Sequence, residues 1–255
     1  MKIPHNLVVK IGTSVLTKDG TFTETVINKL AGELVTFLEH GTKVSIVSSG
    51  AIGAGMTLLN QKTRPTSIEG LQAFAAIGQR YLMQCWEKAF VKHKYSTAQI
   101  LLTRDDMTNE KRRTNAIKTL NEIHKLRHVP IINENDTVAT EEIKFGDNDQ
   151  LSALLANLIK ADLLVILSDT DGLYDDHKKR IPVVDELNES IFSHVNDKKT
   201  NFTVGGMRSK LEAIQSCTTS GIPVILASGG TSNILHRIEN KESFGTYFKA
   251  KGDAR

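Results

Sequence analysis

The chain has 255 residues, 40% hydrophobic and 24% charged, with a net charge of +3. This composition is globular rather than disordered, and the length can bury most of its apolar surface without disulfides. So small a net charge gives no basic groove for nucleic acid, and no apolar run approaches the ~18 residues of a membrane span. The densest basic cluster, Lys178-Lys179-Arg180, follows Asp175-Asp176 and reads as a solvated loop. Cys85 and Cys217 lie in apolar-periodic segments without CxxC partners, as expected of reduced core thiols. No basic-plus-apolar leader precedes the first strand, so a cytoplasmic protein is expected, with neither nucleic-acid nor membrane partners.

In chain order, β-type runs fall at 7–11, 43–48, 97–102, 129–132, 163–167 and 223–227, several of them apolar almost throughout. Between the first two, Val26, Ile27, Leu30, Leu34, Phe37 and Leu38 recur at helical spacing, and Gly41 supplies a stop. Further helical patterns run over 71–90, over Ile117, Leu120, Ile123 and Leu126, and over 151–159 and 207–217. Strands separated by helix-length connections imply βαβ units. The expected fold is a three-layer α/β/α sandwich with a mainly parallel central sheet. One domain spanning 1–255 is expected, with a small hairpin or lid within the polar stretch 175–201.

Ligands of parallel α/β sheets gather outside the carboxyl ends of the strands. Four strand ends carry unusual residues. At the first, Lys10 closes a buried strand, and Gly12-Thr13-Ser14 could let phosphate oxygens approach backbone N–H groups. At the second, 48–55 (SSGAIGAG) passes from strand to helix, where a helix N-terminus favours negative charge. The third combines Asn133-Glu134-Asn135-Asp136 with Gly146-Asp147-Asn148-Asp149, amides and carboxylates suited to an α-ammonium group and to holding lysines in place. The fourth pairs Ser168-Asp169-Thr170-Asp171-Gly172 with Gly205-Gly206-Met207-Arg208-Ser209-Lys210, a glycine pair before a first-turn lysine.

Each has an ordinary structural explanation: a snorkelling lysine, close helix packing, helix capping, a turn. Together they are better explained by a phosphate-handling site. The glycines of 48–55 fall as GxxGxG rather than the dinucleotide GxGxxG, and no GxxxxGK[ST] loop occurs. Scattered histidines and the absence of HExxH or GxSxG speak against a zinc site and a serine hydrolase.

These segments resemble the amino acid kinase family, over residues 7–248. The resemblance rests on 8–16 (VVKIGTSVL), 48–55, 130–136 (PIINEND), 145–149 (FGDND) and 205–210 (GGMRSK). Within the family, the Asn133–Asp136 and Asp147–Asp149 pair is similar to the branch that phosphorylates glutamate, as against acetylglutamate, aspartate, carbamate or uridylate kinases. The resemblance implies transfer of the γ-phosphoryl group of ATP, with Mg²⁺ carried by the nucleotide, to the side-chain carboxylate of L-glutamate, opening proline biosynthesis. It further implies Lys10, Asp149 and Lys210 as catalytic residues, and Ser49, Asn133, Asp136 and Asn148 as substrate-binding residues. Lys10, Gly12, Ser168, Asp169 and the run Val204, Gly205, Gly206, Met207, Arg208, Ser209 and Lys210 would bind the nucleotide.

Proline as a feedback inhibitor and a homo-oligomer, dimer or tetramer, are implied as well, in a form without the C-terminal RNA-modification-type (PUA) domain of many members. The chain departs from the family pattern at Val204 and Ser209, where threonines are usual, and lacks a proline after Asp175-Asp176-His177. A catalytically silent sensor of the same fold stands as the alternative of a different class. It would be expected to have lost Lys10, Asp149 or Lys210.

Overall fold

Strands that are apolar on both faces must be covered on both faces, and this decides the layering of the chain. The computed structural model describes residues 3–138, 148–194, 206–240, 242 and 244–252. In chain order it has β1 (Asn6–Ile11), a 3₁₀ turn (Thr13–Val15), β2 (Thr17–Lys18), β3 (Thr21–Phe22), α1 (Glu24–Glu39), β4 (Lys43–Ser48), α2 (Ala51–Leu58), α3 (Ile68–Val91) and β5 (Ser96–Leu102). Next come α4 (Arg104–Thr108), α5 (Glu110–Lys125), β6 (His128–Glu134), α6 (Asn148–Ile159), β7 (Leu163–Ser168), β8 (Leu173–Tyr174) and β9 (Arg180–Ile181). The chain continues through β10 (Val183–Val184), α7 (Glu189–His194), α8 (Met207–Thr219), β11 (Val224–Ser228), α9 (Ile234–Glu239) and β12 (Thr246–Phe248).

Eight of these strands form one sheet in the order β10-β12-β11-β7-β1-β4-β6-β5. Its pairings are parallel except β11 with β12. The three-layer, mainly parallel architecture is the one expected. Alternation along each strand feeds two cores. Leu7, Val9 and Ile11 of β1 face a core with Leu30, Leu34 and Phe37 of α1 and Leu82, Trp86 and Phe90 of α3. Val8 faces the other way, with Leu151 and Leu155 of α6 and Leu211 and Ile214 of α8. Cys85 and Cys217 are buried and free, one in each core.

The six expected strands all form. β6 runs two residues past the expected 129–132, because its pairing with β5 continues through Leu101↔Asn133 and Leu102↔Glu134. The polar stretch after β7 forms a β8–β9 hairpin. The strands not anticipated, β2, β3, β10 and β12, have two or three residues each, too few to show a period. Caps mark several helix starts: Thr23 for α1, Ser67 for α3, Asn109 for α5, and a Thr103–Asp106 capping box for α4. No described helix is long and apolar enough to cross a membrane.

Candidate active site

Because Lys10 shares the parity of Val8, it faces the layer of α6 and α8 rather than that of α1 and α3. Those two helices pack side by side, with the Asn157 amide donating to Ser216 Oγ at 3.1 Å. Their first turns are thereby brought to the carboxyl end of β1. Asp149 enters from the first turn of α6, and Lys210 from that of α8. Lys10 Nζ lies 2.6 Å from Asp149 Oδ1, and Lys210 Nζ donates to Oδ2 at 3.2 Å. Both are charge-assisted contacts to the same carboxylate. Exposure is only 5% for Lys10, 1% for Asp149 and 7% for Lys210.

Two ammonium groups share the Asp149 carboxylate inside the protein, and the Asp169 charge acts on Lys10 as well. Burial pushes the Lys10 pKa below its usual value, with Asp149 opposing and Lys210 reinforcing the shift. Burial alone would raise the Asp149 pKa, but Lys10 and Lys210 together hold it below the ordinary carboxylate value. An anion placed against the lysines would relieve the desolvation of Lys10.

Beside this cationic half lies an amide half. Asn148, the residue before Asp149, donates from Nδ2 to Ser49 Oγ at 2.8 Å and to Asn133 Oδ1 at 2.9 Å. Asn133 Nδ2 donates to Gln79 Oε1 at 2.9 Å. Ser49 is fixed by its own N–H, which donates to Ile11 O of β1 at 3.0 Å. Asp136 is only partly buried, yet burial raises its pKa to about 6, with the Arg64 charge opposing.

Gly12 N donates to Leu167 O, so the turn after β1 lies against the end of β7, where Ser168 donates to Asp169 Oδ1 at 2.8 Å. A Cβ on Gly12 would stand 3.6 Å from Lys10 Nζ, so glycine leaves the ammonium uncovered there. Gly206 caps α8, Met207 and Ser209 are half-buried, and exposed Arg208 pairs with Glu212. Val204, Gly205, Gly146 and Asp147 lie outside the described residues.

In 48–55 the glycines divide by function. Gly50 turns from β4 into α2 with a φ of 104°, a conformation that L side chains rarely adopt. Gly55 belongs to helix packing: a Cβ there would fall 2.1 Å from Phe74 O of α3. The structure thus brings Lys10, Asp149 and Lys210 into one cluster, and Ser49, Asn133 and Asn148 into the adjoining one.

Three features were missed in the sequence. Gln79 sits inside a helical pattern, where a lone glutamine reads as surface. Arg64 lies between α2 and α3, in a stretch without periodicity. The Gly229-Gly230 pair after β11 carried a readable signal, a glycine pair at a strand end. Gly229 closes on the Thr13–Val15 turn, where a Cβ would meet Val15 Cγ1 at 2.3 Å.

The sequence profile of the amino acid kinase family matches residues 6–228. This chain belongs to the amino acid kinase family. Among its relatives, a protein named glutamate 5-kinase from Thermoanaerobacter sp. (strain X514) is 44% identical over 249 residues, covering 95% of this chain and 67% of that protein. Another of that name, from Clostridium tetani, is 40% identical over 257 residues, covering 98% of this chain and 96% of the relative. UMP kinase from Bacillus anthracis has a similar structure, with a TM-score of 0.63 at 14% identity over 98% of this chain and 97% of its own. At that identity the likeness speaks for the amino acid kinase fold alone.

Proposed function

We propose that this chain is an ATP-dependent kinase of the L-glutamate side-chain carboxylate, producing L-glutamyl 5-phosphate and ADP as the first step of proline biosynthesis. The observation that carries this reading is the junction of two unlike half-sites at Asn148-Asp149. One residue anchors a cationic cluster suited to a transferring phosphoryl group, and its neighbour an amide cluster suited to an amino acid. Relatives of matching name at 40% to 44% identity support the same reading.

In the mechanism, a γ-carboxylate oxygen attacks the γ-phosphorus of ATP. The new O–P bond forms as the β–γ bridging bond breaks, and its electron pair leaves on ADP. A carboxylate nucleophile carries no proton, so no general base is required and Asp149 serves to orient the two lysines. Lys10 binds the transferring group, while Lys210 neutralises charge on the leaving bridge oxygen. Ser49, Asn133, Asp136 and Asn148 hold the glutamate. Gly12, Ser168, Asp169 and the segment Val204 to Lys210 hold the nucleotide.

No three His, Cys, Asp or Glu side chains are grouped to hold a metal among the described residues. Mg²⁺ carried on the nucleotide phosphates would supply further charge neutralisation there. The family resemblance extends the proposal to a cytoplasmic subunit of a homo-oligomer, inhibited by proline at or overlapping the glutamate site.

The test is incubation with MgATP and a panel of amino acids, trapping acyl phosphate with hydroxylamine and measuring ADP. Hydroxamate from glutamate alone supports the proposal. Turnover only with acetylglutamate, aspartate or carbamate sinks the substrate assignment, and nucleotide binding without turnover favours a sensor.

A further inference from the structure

In a chain of amide side chains, any member that cannot turn round sets the direction of all the others. Here that member is the backbone N–H of Glu134, which can only donate, and donates to Asn133 Oδ1 at 2.9 Å. Asn133 must therefore present Nδ2 on its other side, and Gln79 Oε1 accepts it. The same Asn133 oxygen accepts from Asn148, whose Nδ2 is thereby fixed toward Asn133 and Ser49. Turning any one of the three amides would set donor against donor or acceptor against acceptor. The assignment of O and N along the relay thus follows from chemistry rather than from the placement of look-alike atoms.

Two atoms are left over, one at each end. Asn148 Oδ1 is a buried acceptor and Gln79 Nε2 a buried donor, and neither has a partner among the described residues. The side chains concerned are well enclosed, with exposures of 7% for Asn148 and 9% for Gln79. A buried donor without an acceptor is unfavourable, so an apolar side chain of similar length would suit this position of α3 better on packing grounds. What the glutamine adds is Oε1. Without it, Asn133 Nδ2 would itself be stranded, and the Glu134 N–H alone would hold the Asn133 amide in place. A less firmly held Asn133 would fix the Asn148 amide less firmly in turn, letting its carbonyl leave its present place.

We propose that Gln79 is a positioning residue for substrate specificity. Through Asn133 it holds the Asn148 carbonyl as an acceptor for the α-ammonium group of the substrate, and so selects an amino acid over the same dicarboxylate lacking the amino group. The inference rests on the glutamate-kinase reading of the site and adds a residue and a selectivity to it.

The experiment compares L-glutamate with glutarate, both by hydroxamate formation with MgATP and by calorimetric titration of each acid. The proteins are wild type, Gln79→Met, Gln79→Leu as a second apolar variant, and Gln79→Glu. Wild type should favour glutamate. The apolar variants should raise the glutamate KM about tenfold, the cost of one hydrogen bond to a charged group, with kcat and the ATP KM little changed. Glutarate should be unaffected, so the ratio of kcat/KM values falls about tenfold. Gln79→Glu keeps an oxygen toward Asn133 and should retain most of the discrimination.

A purely structural glutamine would lower both acids equally, and that result overturns the proposal. So does a Gln79→Glu variant as indiscriminate as Gln79→Met, which would move the function to Nε2. Wild type that binds glutamate without forming hydroxamate refutes the kinase reading alone, and the calorimetric ratio still decides this proposal. Wild-type binding that does not favour glutamate over glutarate overturns it outright.

Discussion

Removing either Lys10 or Asp149 should abolish most of the activity, yet the two changes should move stability very differently. Asp149→Asn removes the carboxylate that Lys10 and Lys210 share in the protein interior, raising the local charge by one. The new amide also presents Nδ2 or Oδ1 to two donors that lie 2.6 Å and 3.2 Å from the present carboxylate. Breaking a buried ion pair by removing one partner costs about 3–5 kcal/mol. Lys10→Met instead leaves a neutral Asp149–Lys210 pair and keeps an apolar stem against β1. It also removes the desolvation cost of a buried ammonium, the kind of cost that makes apolar replacement of buried ion pairs stabilising by about 1–4 kcal/mol. Against it stands the loss of the ammonium beside Oδ1, about 1–3 kcal/mol. The two nearly cancel, so Lys10→Met should be close to wild type or slightly more stable.

The gap between the variants is therefore about 3–5 kcal/mol, which corresponds to roughly 6–20 °C in Tm for a chain of this size. Thermal and urea unfolding followed by circular dichroism, without nucleotide, would measure it. A hydroxamate assay should show kcat reduced roughly 10²–10³-fold in both. The pH dependence gives a second check. The folded pKa of Lys10 lies below its unfolded value, so the unfolded chain binds more protons between the two. Wild-type stability should gain a rising component as pH climbs through the folded pKa toward 10.5, and Lys10→Met should lack it. Equal stabilities for the two variants would refute the reading of Asp149 as the counter-charge that the two lysines share.

Asp136 gives a pH prediction of the opposite kind. Its pKa, raised to about 6 by burial, makes kcat/KM for glutamate fall as pH drops through about 6, and Asp136→Asn should remove that limb while weakening binding at pH 7.5. The native state also holds this proton more tightly than the unfolded one, so the group's contribution to stability should decline from about pH 4 to about 6, measurable by urea titration. In the α2–α3 contact, Gly78→Ala would place a Cβ 1.8 Å from Ala51 O and 2.3 Å from Gly55 N, backbone on both counts. Its cost should exceed the usual 1–3 kcal/mol of overpacking, with a higher glutamate KM because Ser49 precedes α2 directly. Ser48→Ala would strand the buried Trp86 Nε1, which now donates to Ser48 Oγ at 3.0 Å, at a cost of about 1–3 kcal/mol by urea unfolding.

The sheet was legible because its strands are long and apolar on both faces. β11, β7, β1 and β4 stand at its centre, and several of the expected strands were apolar almost throughout. The long amphipathic helices were legible for the corresponding reason, a stripe such as Leu30, Leu34 and Phe37. The edge was not: β10 and β12 pair over two residues, and β12 turns antiparallel to β11. Strands so short are stabilised by the sheet they join, and their own sequence carries no period to read. The Asn133 position was similarly displaced, expected at the strand end after 129–132 but paired within the strand. Polar residues end a strand in most sequences, and here the pairing with β5 carries on past them.

At the site, residue types and strand-end positions were readable, but partnerships were not. Parity along β1 already assigns Lys10 to the face of Val8. Not legible was the packing of α6 against α8, which sets Lys210 beside Asp149, and that of α3 behind β6, which sets Gln79 beside Asn133. The second case is the more instructive. A glutamine in an apolar helix face gives no motif, and its meaning appears only with the Glu134 N–H that orients the amides.

The two halves of the site then share a single mechanical support, the first turn of α6. Asn148 directs one half and Asp149 the other, on adjacent residues whose side chains leave the helix about 100° apart. A rotation of that turn would therefore misplace the amino acid and the lysines together. Positioning of nucleophile and phosphoryl group is the main source of rate in this chemistry. Damage confined to the α6 turn should thus lower kcat more than the sum of separate losses in glutamate and nucleotide binding.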